Sequence, residues 1–181
     1  MSAGRGDALV FYGATGDLAF KKIFPSLQGM IRRGVLDVPI IGVAKQGWKL
    51  EQFKARAKDS LEKHGVLDAV AFARMLELLR YVDGDYEDPA TFAELKRTLG
   101  GARRPVHYLA IPQGVFGLVT QQLARAGCVE GARGAIGIGQ YEPPSCDRHL
   151  TVAFGQYPQG VRGRVGDCCH SRGQQLSDSS S

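Results

Sequence analysis

Apolar runs with strand character alternate along this chain with stretches whose apolar positions recur at helical spacing. The first run, Ala8-Leu9-Val10-Phe11-Tyr12, ends in Gly13-Ala14-Thr15-Gly16 and passes directly into a helical pattern carrying Ile23, Leu27, Met30 and Ile31. Pro25 interrupts that pattern, and a proline costs about 3 kcal/mol in a helix interior, so a kink or a late helix start is expected there. Gly34 ends the helix, and Val38–Ala44 is a continuous apolar run, the mark of a parallel strand buried on both faces. Leu50, Phe53, Ala57 and Leu61 then share one helical stripe, and Phe72, Met75, Leu76 and Leu79 another. Tyr81-Val82 reads as a short strand, Phe92, Leu95 and Leu99 as a helix, and Val106–Ala110 as a central strand. A last helix carries Phe116, Val119 and Leu123 as far as Gly127. This alternation predicts an α/β fold, a doubly wound and mostly parallel sheet. Its ligand is expected beyond the carboxyl ends of the strands, near Gly13, Lys45 and Pro112.

The glycine turn between the first strand and the first helix carries the most chemistry. A strand, a glycine turn and a helix N-terminus together make an anion site from backbone, because the turn presents N–H groups and the helix dipole adds about half a positive charge. Gly13 permits the sharp turn, Gly16 lets backbone approach a phosphate without a Cβ in the way, and Thr15 offers a hydroxyl. The predicted element is a pyrophosphate-binding turn of a Rossmann-type dinucleotide fold. It departs from the common G-x-G-x-x-G fingerprint in having Phe11 at the first glycine position, and a ligand-free strand-to-helix turn is the alternative.

Composition narrows the class. At 181 residues the chain can hold one good core and a small appendage. No apolar run is long enough to span a membrane, and Met1-Ser2-Ala3-Gly4-Arg5 lacks the apolar centre of a signal peptide, so a cytoplasmic protein without a membrane partner is expected. The net charge of +5 is modest and spread out, pointing to anionic small ligands rather than nucleic acid. Cys128, Cys146, Cys168 and Cys169 form no disulfide framework, and Cys128 is expected as a buried thiol.

The second strand suggests which dinucleotide. An NAD site commonly ends this strand in Asp or Glu, which accepts from the ribose 2′-hydroxyl, whereas a 2′-phosphate needs a cation. Here the strand ends Val43-Ala44-Lys45-Gln46, so Lys45 is placed for a 2′-phosphate with Gln46 as a neutral donor beside it. The alternative is a solvated lysine at a strand end.

Several segments in order resemble glucose-6-phosphate dehydrogenase. Phe11-Tyr12-Gly13-Ala14-Thr15-Gly16-Asp17-Leu18-Ala19, with Lys21-Lys22 and Pro25, resembles the family's amino-terminal signature. Ile41-Gly42-Val43-Ala44-Lys45 resembles its second strand, and His107-Tyr108-Leu109-Ala110-Ile111-Pro112 with Phe116 its fourth strand and following helix. Cys128-Val129-Glu130-Gly131-Ala132-Arg133 resembles the approach to the next strand, so the likeness spans about residues 7–133. The resemblance implies an NADP-binding domain over residues 1–133, within an enzyme of the pentose phosphate pathway. There, hydride passes from C1 of glucose 6-phosphate to NADP to give the 6-phospho-lactone. It further implies that Gly13, Ala14, Thr15, Gly16, Asp17 and Leu18 form the cofactor turn, and that Lys45 and Gln46 face the adenosine phosphate. Tyr108, Ala110 and Pro112 would flank the nicotinamide, and Lys22 matches a position often basic near the cofactor, with an exposed lysine as the alternative.

After Arg133 the resemblance stops. The family's Glu-Lys-Pro-Phe-Gly motif and its later segment bearing the catalytic histidine have no counterpart, and His107, in a strand and without a preceding Asp, is not assigned catalysis. Residues 134–181 lack helical periodicity and end in Ser177-Asp178-Ser179-Ser180-Ser181, so an irregular, poorly ordered tail is expected, with Ala135-Ile136-Gly137-Ile138 as one short strand at an otherwise exposed sheet edge. An out-of-frame or fused segment would account for this change of composition. Cys146 and His149 have zinc-type spacing, but Cys168-Cys169-His170 are adjacent and poorly spaced for one site, so no metal is expected. Tyr141 and Tyr157 lack the repeated aromatic-basic pattern of an RNA binder, and His64 and His170 read as surface residues. The expected protein is a truncated, NADP-binding portion of such a dehydrogenase, inactive alone and without a glucose 6-phosphate site. The alternative is a non-catalytic module that senses NADP or pairs with a full-length subunit, with homo-oligomerisation open. A free-standing short-chain reductase is disfavoured, because no tyrosine has a lysine four residues later.

Overall fold

The computed structural model describes residues 6–64 and 67–129, together with the backbone of two short strands at 135–137 and 152–154. Strands β1 (Ala8–Tyr12), β2 (Ile40–Ala44), β3 (Leu79–Asp83), β4 (Pro105–Leu109), β5 (Ala135–Gly137) and β6 (Val152–Phe154) form one sheet in the order β3-β2-β1-β4-β5-β6. Every pairing is parallel, as in a doubly wound dinucleotide fold. Helices α1 (Phe24–Arg32), α2 (Leu50–His64), α3 (Ala69–Leu78), α4 (Pro89–Leu99) and α5 (Phe116–Arg125) supply the crossovers. The strand expected near residue 135 is present as β5; β6 was not anticipated. The cysteine–histidine positions of the tail, and Tyr141 and Tyr157, lie outside the described residues.

Strand alternation divides the core into two layers. Ala8, Val10 and Tyr12 of β1 pack with Ile41, Val43 and Val82 against Phe92, Leu95, Phe116, Val119 and Leu123 from α4 and α5. Phe11 points the other way, toward Phe24, Leu27, Phe53, Ala57, Leu61 and Met75 from α1, α2 and α3. On that side Gly42 pairs in register with Phe11 and with Tyr81, and a Cβ on it would lie 2.4 Å from the Phe53 ring. The missing side chain admits the Phe53 ring, which stacks on Tyr81 at 4.8 Å between centroids.

Three expectations shift at their edges. A π-helical turn over Ala19–Ile23 precedes α1, with the Phe24 N–H bonding back to Ala19 O, so the interruption expected at Pro25 falls at this junction. Pro25 then occupies the first turn of α1, just past the junction where the π turn gives way to α-helix. Leu79 is not the end of a helical stripe but the first residue of β3, paired with Ile40 and fully buried. The buried positions of α3 are Ala71, Met75 and Leu78, whereas Phe72 and Leu76 are half-buried. Strand pairing outweighs the local helical period, and the chain passes from helix to strand without a loop. The second strand begins at Ile40 rather than Val38, with the Pro39 carbonyl accepting from Leu9 N at 2.9 Å. None of the helices among the described residues is long and apolar enough to cross a membrane.

His107 is fully buried in β4, between the Tyr12 hydroxyl at 3.1 Å from Nδ1 and the Cys128 carbonyl at 3.1 Å from Nε2. A neutral ring with its proton on Nε2 satisfies both neighbours, donating to Cys128 and accepting from Tyr12. Burial lowers its pKa from 6.5 to about 4, against the opposing pull of the Cys128 carbonyl. Cys128 is itself buried, as expected, and burial raises its thiol pKa.

As pH falls, the unfolded ring takes up a proton near 6.5 and the folded one only near 4. The stabilising contribution is therefore complete above about pH 6.5 and is lost as pH drops toward 4, by on the order of 3 kcal/mol. Urea unfolding followed between pH 7 and pH 4 is expected to show this loss, and a less stable His107→Gln variant is expected to lack that part of the slope.

Candidate functional site

The carboxyl ends of β1, β2, β3 and β4 converge on the Gly13 turn, at the point where the sheet order reverses around β1. Gly13 has φ +74°, and a Cβ there would stand 2.3 Å from the Ala110 carbonyl oxygen. Both facts require glycine, the first by conformation and the second by contact with backbone that cannot rotate away. The Gly13 amide lies 3.1 Å from Val43 O and 2.8 Å from the Tyr86 hydroxyl, which itself donates to Val43 O at 3.1 Å. Ala14 N also points to Val43 O, at 3.3 Å, and Gly16 N closes the turn onto Gly13 O at 3.0 Å.

The remaining turn residues divide by exposure. The Ala14 side chain is fully buried, packed beside Gly42. Gly16 is exposed, and a Cβ there would meet only Gly13 O, at 3.2 Å. Thr15 Oγ1 donates to Gln46 Oε1 at 3.4 Å, joining the turn to the segment after β2. Asp17 is exposed and paired with Lys21 at 2.9 Å, and the hydrogen bond from that lysine holds its carboxyl below the usual range.

Beyond Ala44, the last residue of β2, Lys45 and Gln46 are exposed. The segment that carries them is tied down by Asp83, the last residue of β3. Its Oδ1 accepts from the amides of Gln46, Gly47 and Trp48 at 3.0, 2.8 and 3.3 Å, and from the Tyr81 hydroxyl at 2.9 Å. Partial burial works against the charge on Asp83, but these donors prevail and its pKa is lowered. The Lys45 ammonium forms an ion pair with Asp85, whose carboxyl is held low first by that hydrogen bond and then by the Glu87 amide. Burial raises the pKa of the Tyr86 hydroxyl to about 12, so it serves the turn as a neutral donor and acceptor.

Lys22 and Tyr108 belong to a different part of the surface. With Leu18 and Met30 they line a largely apolar groove of about 590 Å³ between α1 and the β1–β4 face of the sheet; Lys45 and Gln46 do not line it. Ala110 contributes the carbonyl against Gly13, and Pro112 is exposed at the cap of the 3-10 turn Gln113–Val115. The turn thus stands between two groups of expected residues: Lys45 and Gln46 near Thr15, and Lys22 and Tyr108 along the groove beside Leu18. Asp83, Asp85 and Tyr86 were not among the expected residues; the only local signal for them is the turn-forming run Asp83-Gly84-Asp85 after an apolar pair.

The family profile described as "Glucose-6-phosphate dehydrogenase, NAD binding domain" matches residues 10–136. This chain belongs to that family. It is similar to glucose-6-phosphate 1-dehydrogenase 1 of Mycobacterium tuberculosis, with 35% identity over 133 residues, covering 74% of this chain and 28% of the relative. The glucose-6-phosphate 1-dehydrogenase of Saccharomyces cerevisiae is 33% identical over 124 residues, covering 62% of this chain and 25% of the relative. Among solved structures, glucose-6-phosphate 1-dehydrogenase from Mycobacterium avium superposes with a TM-score of 0.71 and 34% identity, over 76% of this chain and 31% of that one. A glucose-6-phosphate dehydrogenase in complex with its substrate glucose 6-phosphate superposes with a TM-score of 0.65 and 28% identity, over 80% of this chain and 32% of that one. This glucose-6-phosphate dehydrogenase-type chain therefore spans about a quarter to a third of the length of its relatives, and the part it spans is the dinucleotide-binding domain.

A Gly13→Ala substitution puts a side chain at positive φ and against the Ala110 carbonyl, and is expected to cost at least about 2 kcal/mol. Tyr86→Phe removes only the bridging hydroxyl and is expected to cost about 1 kcal/mol. Urea denaturation of the two variants beside the parent checks the order of these effects.

Proposed function

We propose that the chain is the NADP-binding amino-terminal part of a glucose-6-phosphate dehydrogenase-type oxidoreductase, binding the cofactor without turnover on its own. The observation that carries the reading is the end of β2. Ala44 stands where an NAD site commonly has an acid, and the exposed Lys45 and Gln46 follow it, beside the glycine turn. The fit to a dinucleotide rests on the cradle at Gly13 and the open mouth at Gly16, where a side chain would narrow the approach of a phosphate. The amides of Gly13, Ala14 and Gly16 are spent within the fold, so the pyrophosphate would draw on Thr15 and on the helix start at Asp17 and Leu18. Lys45 would meet the 2′-phosphate as a point charge, with Gln46 beside it. Ala110 and Pro112 would border the nicotinamide, while Lys22 and Tyr108 line the separate groove that Leu18 also lines.

When bound in a complete enzyme, NADP would accept hydride from C1 of glucose 6-phosphate. His107, the histidine in β4, is buried between Tyr12 and Cys128 and has no access to a substrate. The family profile over residues 10–136 is that of the dinucleotide-binding domain, which supports a cofactor-binding role for this part of the chain. The cytoplasmic setting expected from the sequence belongs to the same reading.

Calorimetry with NADP and NAD on the folded chain tests it. NADP is expected to bind saturably and more tightly than NAD. Lys45→Ala is expected to weaken NADP about tenfold, about 1.4 kcal/mol, and to leave NAD within twofold. Equal binding of both cofactors, or binding of neither, overturns the proposal.

A further inference from the structure

The same geometry that places Lys45 for a 2′-phosphate also places a carboxylate on it. Asp85 follows β3 by two residues, and its Oδ2 is paired with the Lys45 ammonium across the ends of two neighbouring strands. Its other oxygen accepts from the Glu87 amide at 3.1 Å, which fixes the carboxylate's orientation. Because Asp83 pins residues 46–48 to the end of β3, the segment bearing Lys45 is held beside Asp85. A carboxylate on this lysine satisfies it with the chemistry that a phosphate would bring: negative oxygens at hydrogen-bonding distance.

We propose that Asp85 is a specificity-determining residue of the cofactor site, an internal competitor for Lys45 that sets the balance between NADP and NAD. The inference rests on the cofactor reading above and deepens it. A 2′-phosphate reaching Lys45 has to displace Asp85 from the ammonium and then stand beside a free carboxylate of the same sign. An unphosphorylated ribose meets no such opposition, because its 2′-hydroxyl is a donor that a carboxylate can accept. Asp85 therefore lowers the preference for NADP that Lys45 creates, and the pair sets the ratio of the two affinities. Lys45 is well exposed, at 71% of its side-chain surface, so the competing ion pair is solvent-screened and can be exchanged for a ligand.

Asp85→Asn tests this, because an amide oxygen keeps an acceptor for the Glu87 N–H while the charge is removed. Calorimetry on the full chain with NADP and NAD is expected to show NADP tightened about fivefold and NAD unchanged or up to twofold weaker. In the Lys45→Ala background the same change is expected to shift NADP less than twofold, since the competition has lost its object. The gain should shrink as salt is raised from 50 to 300 mM, as a screened contact requires. Unchanged affinity for both cofactors in Asp85→Asn, with the parent still binding NADP in a Lys45-dependent way, overturns the role of Asp85 and leaves the cofactor reading standing. Equal tightening of NADP and NAD also overturns it, because the effect would not then pass through the 2′-phosphate. If the folded parent binds neither cofactor, both proposals fail together.

Discussion

The close approach of Gly13 to two neighbouring strands is the contact on which the rest of the site depends. β1 lies between β2 and β4, and the chain must leave its end sharply to start a helix on one face of the sheet. Gly13 makes that turn with its Cα against the Ala110 carbonyl and its amide on Val43 O. The ends of β1, β2 and β4 are thereby locked at one point, and Tyr86 adds the segment after β3 through its hydroxyl. Any residue with a Cβ would push β4 away from β1 where the crevice opens. The position of Thr15 follows from this constraint, and that of Gln46 opposite it from the Asp83 carboxylate.

The fold was legible because most of its determinants are local. Apolar runs gave β1, β2 and β4, helical stripes gave α1 to α5, and a strand–glycine–helix junction gave the turn. The misjudged boundaries are those where a distant partner decides. Leu79 continues a helical period by sequence, yet pairing with Ile40 makes it strand. Val38-Pro39 extends the apolar run of Ile40-Ile41 backwards, yet Pro39 has no N–H to give a ladder and serves only as acceptor for Leu9. Gly42 looks like a weak point in a strand, and becomes necessary only when Phe53, from the next helix, lies over it.

The site was legible by half for the same reason. Gly13, Gly16 and Lys45 announce themselves through neighbours in the chain. Asp83, Asp85 and Tyr86 act on residues about 35 to 75 positions away, and their roles exist only once β3 has paired with β2 so that Asp83 lies opposite Ala44. In one dimension they are turn formers between a strand and a helix, and nothing in their spacing separates them from any other acidic turn.

The two aspartates at the end of β3 and just beyond it differ in how firmly they are committed, and that difference divides scaffold from adjustable surface. Asp83 is saturated by four donors from its own chain, three of them backbone amides, so releasing it would leave those amides to find water and would loosen the segment after β2. Asp85 accepts from the Glu87 and Tyr86 amides beside it and from one lysine ammonium, the latter in open solvent. An exposed ion pair of this kind is screened by solvent and adds little to the fold, so stability gives little reason for keeping it. It can be broken and remade at small cost, which suits a contact that trades partners. The rigid acid holds the segment in place while the loosely held one faces what arrives, and the end of β3 with the turn that follows thus carries both roles.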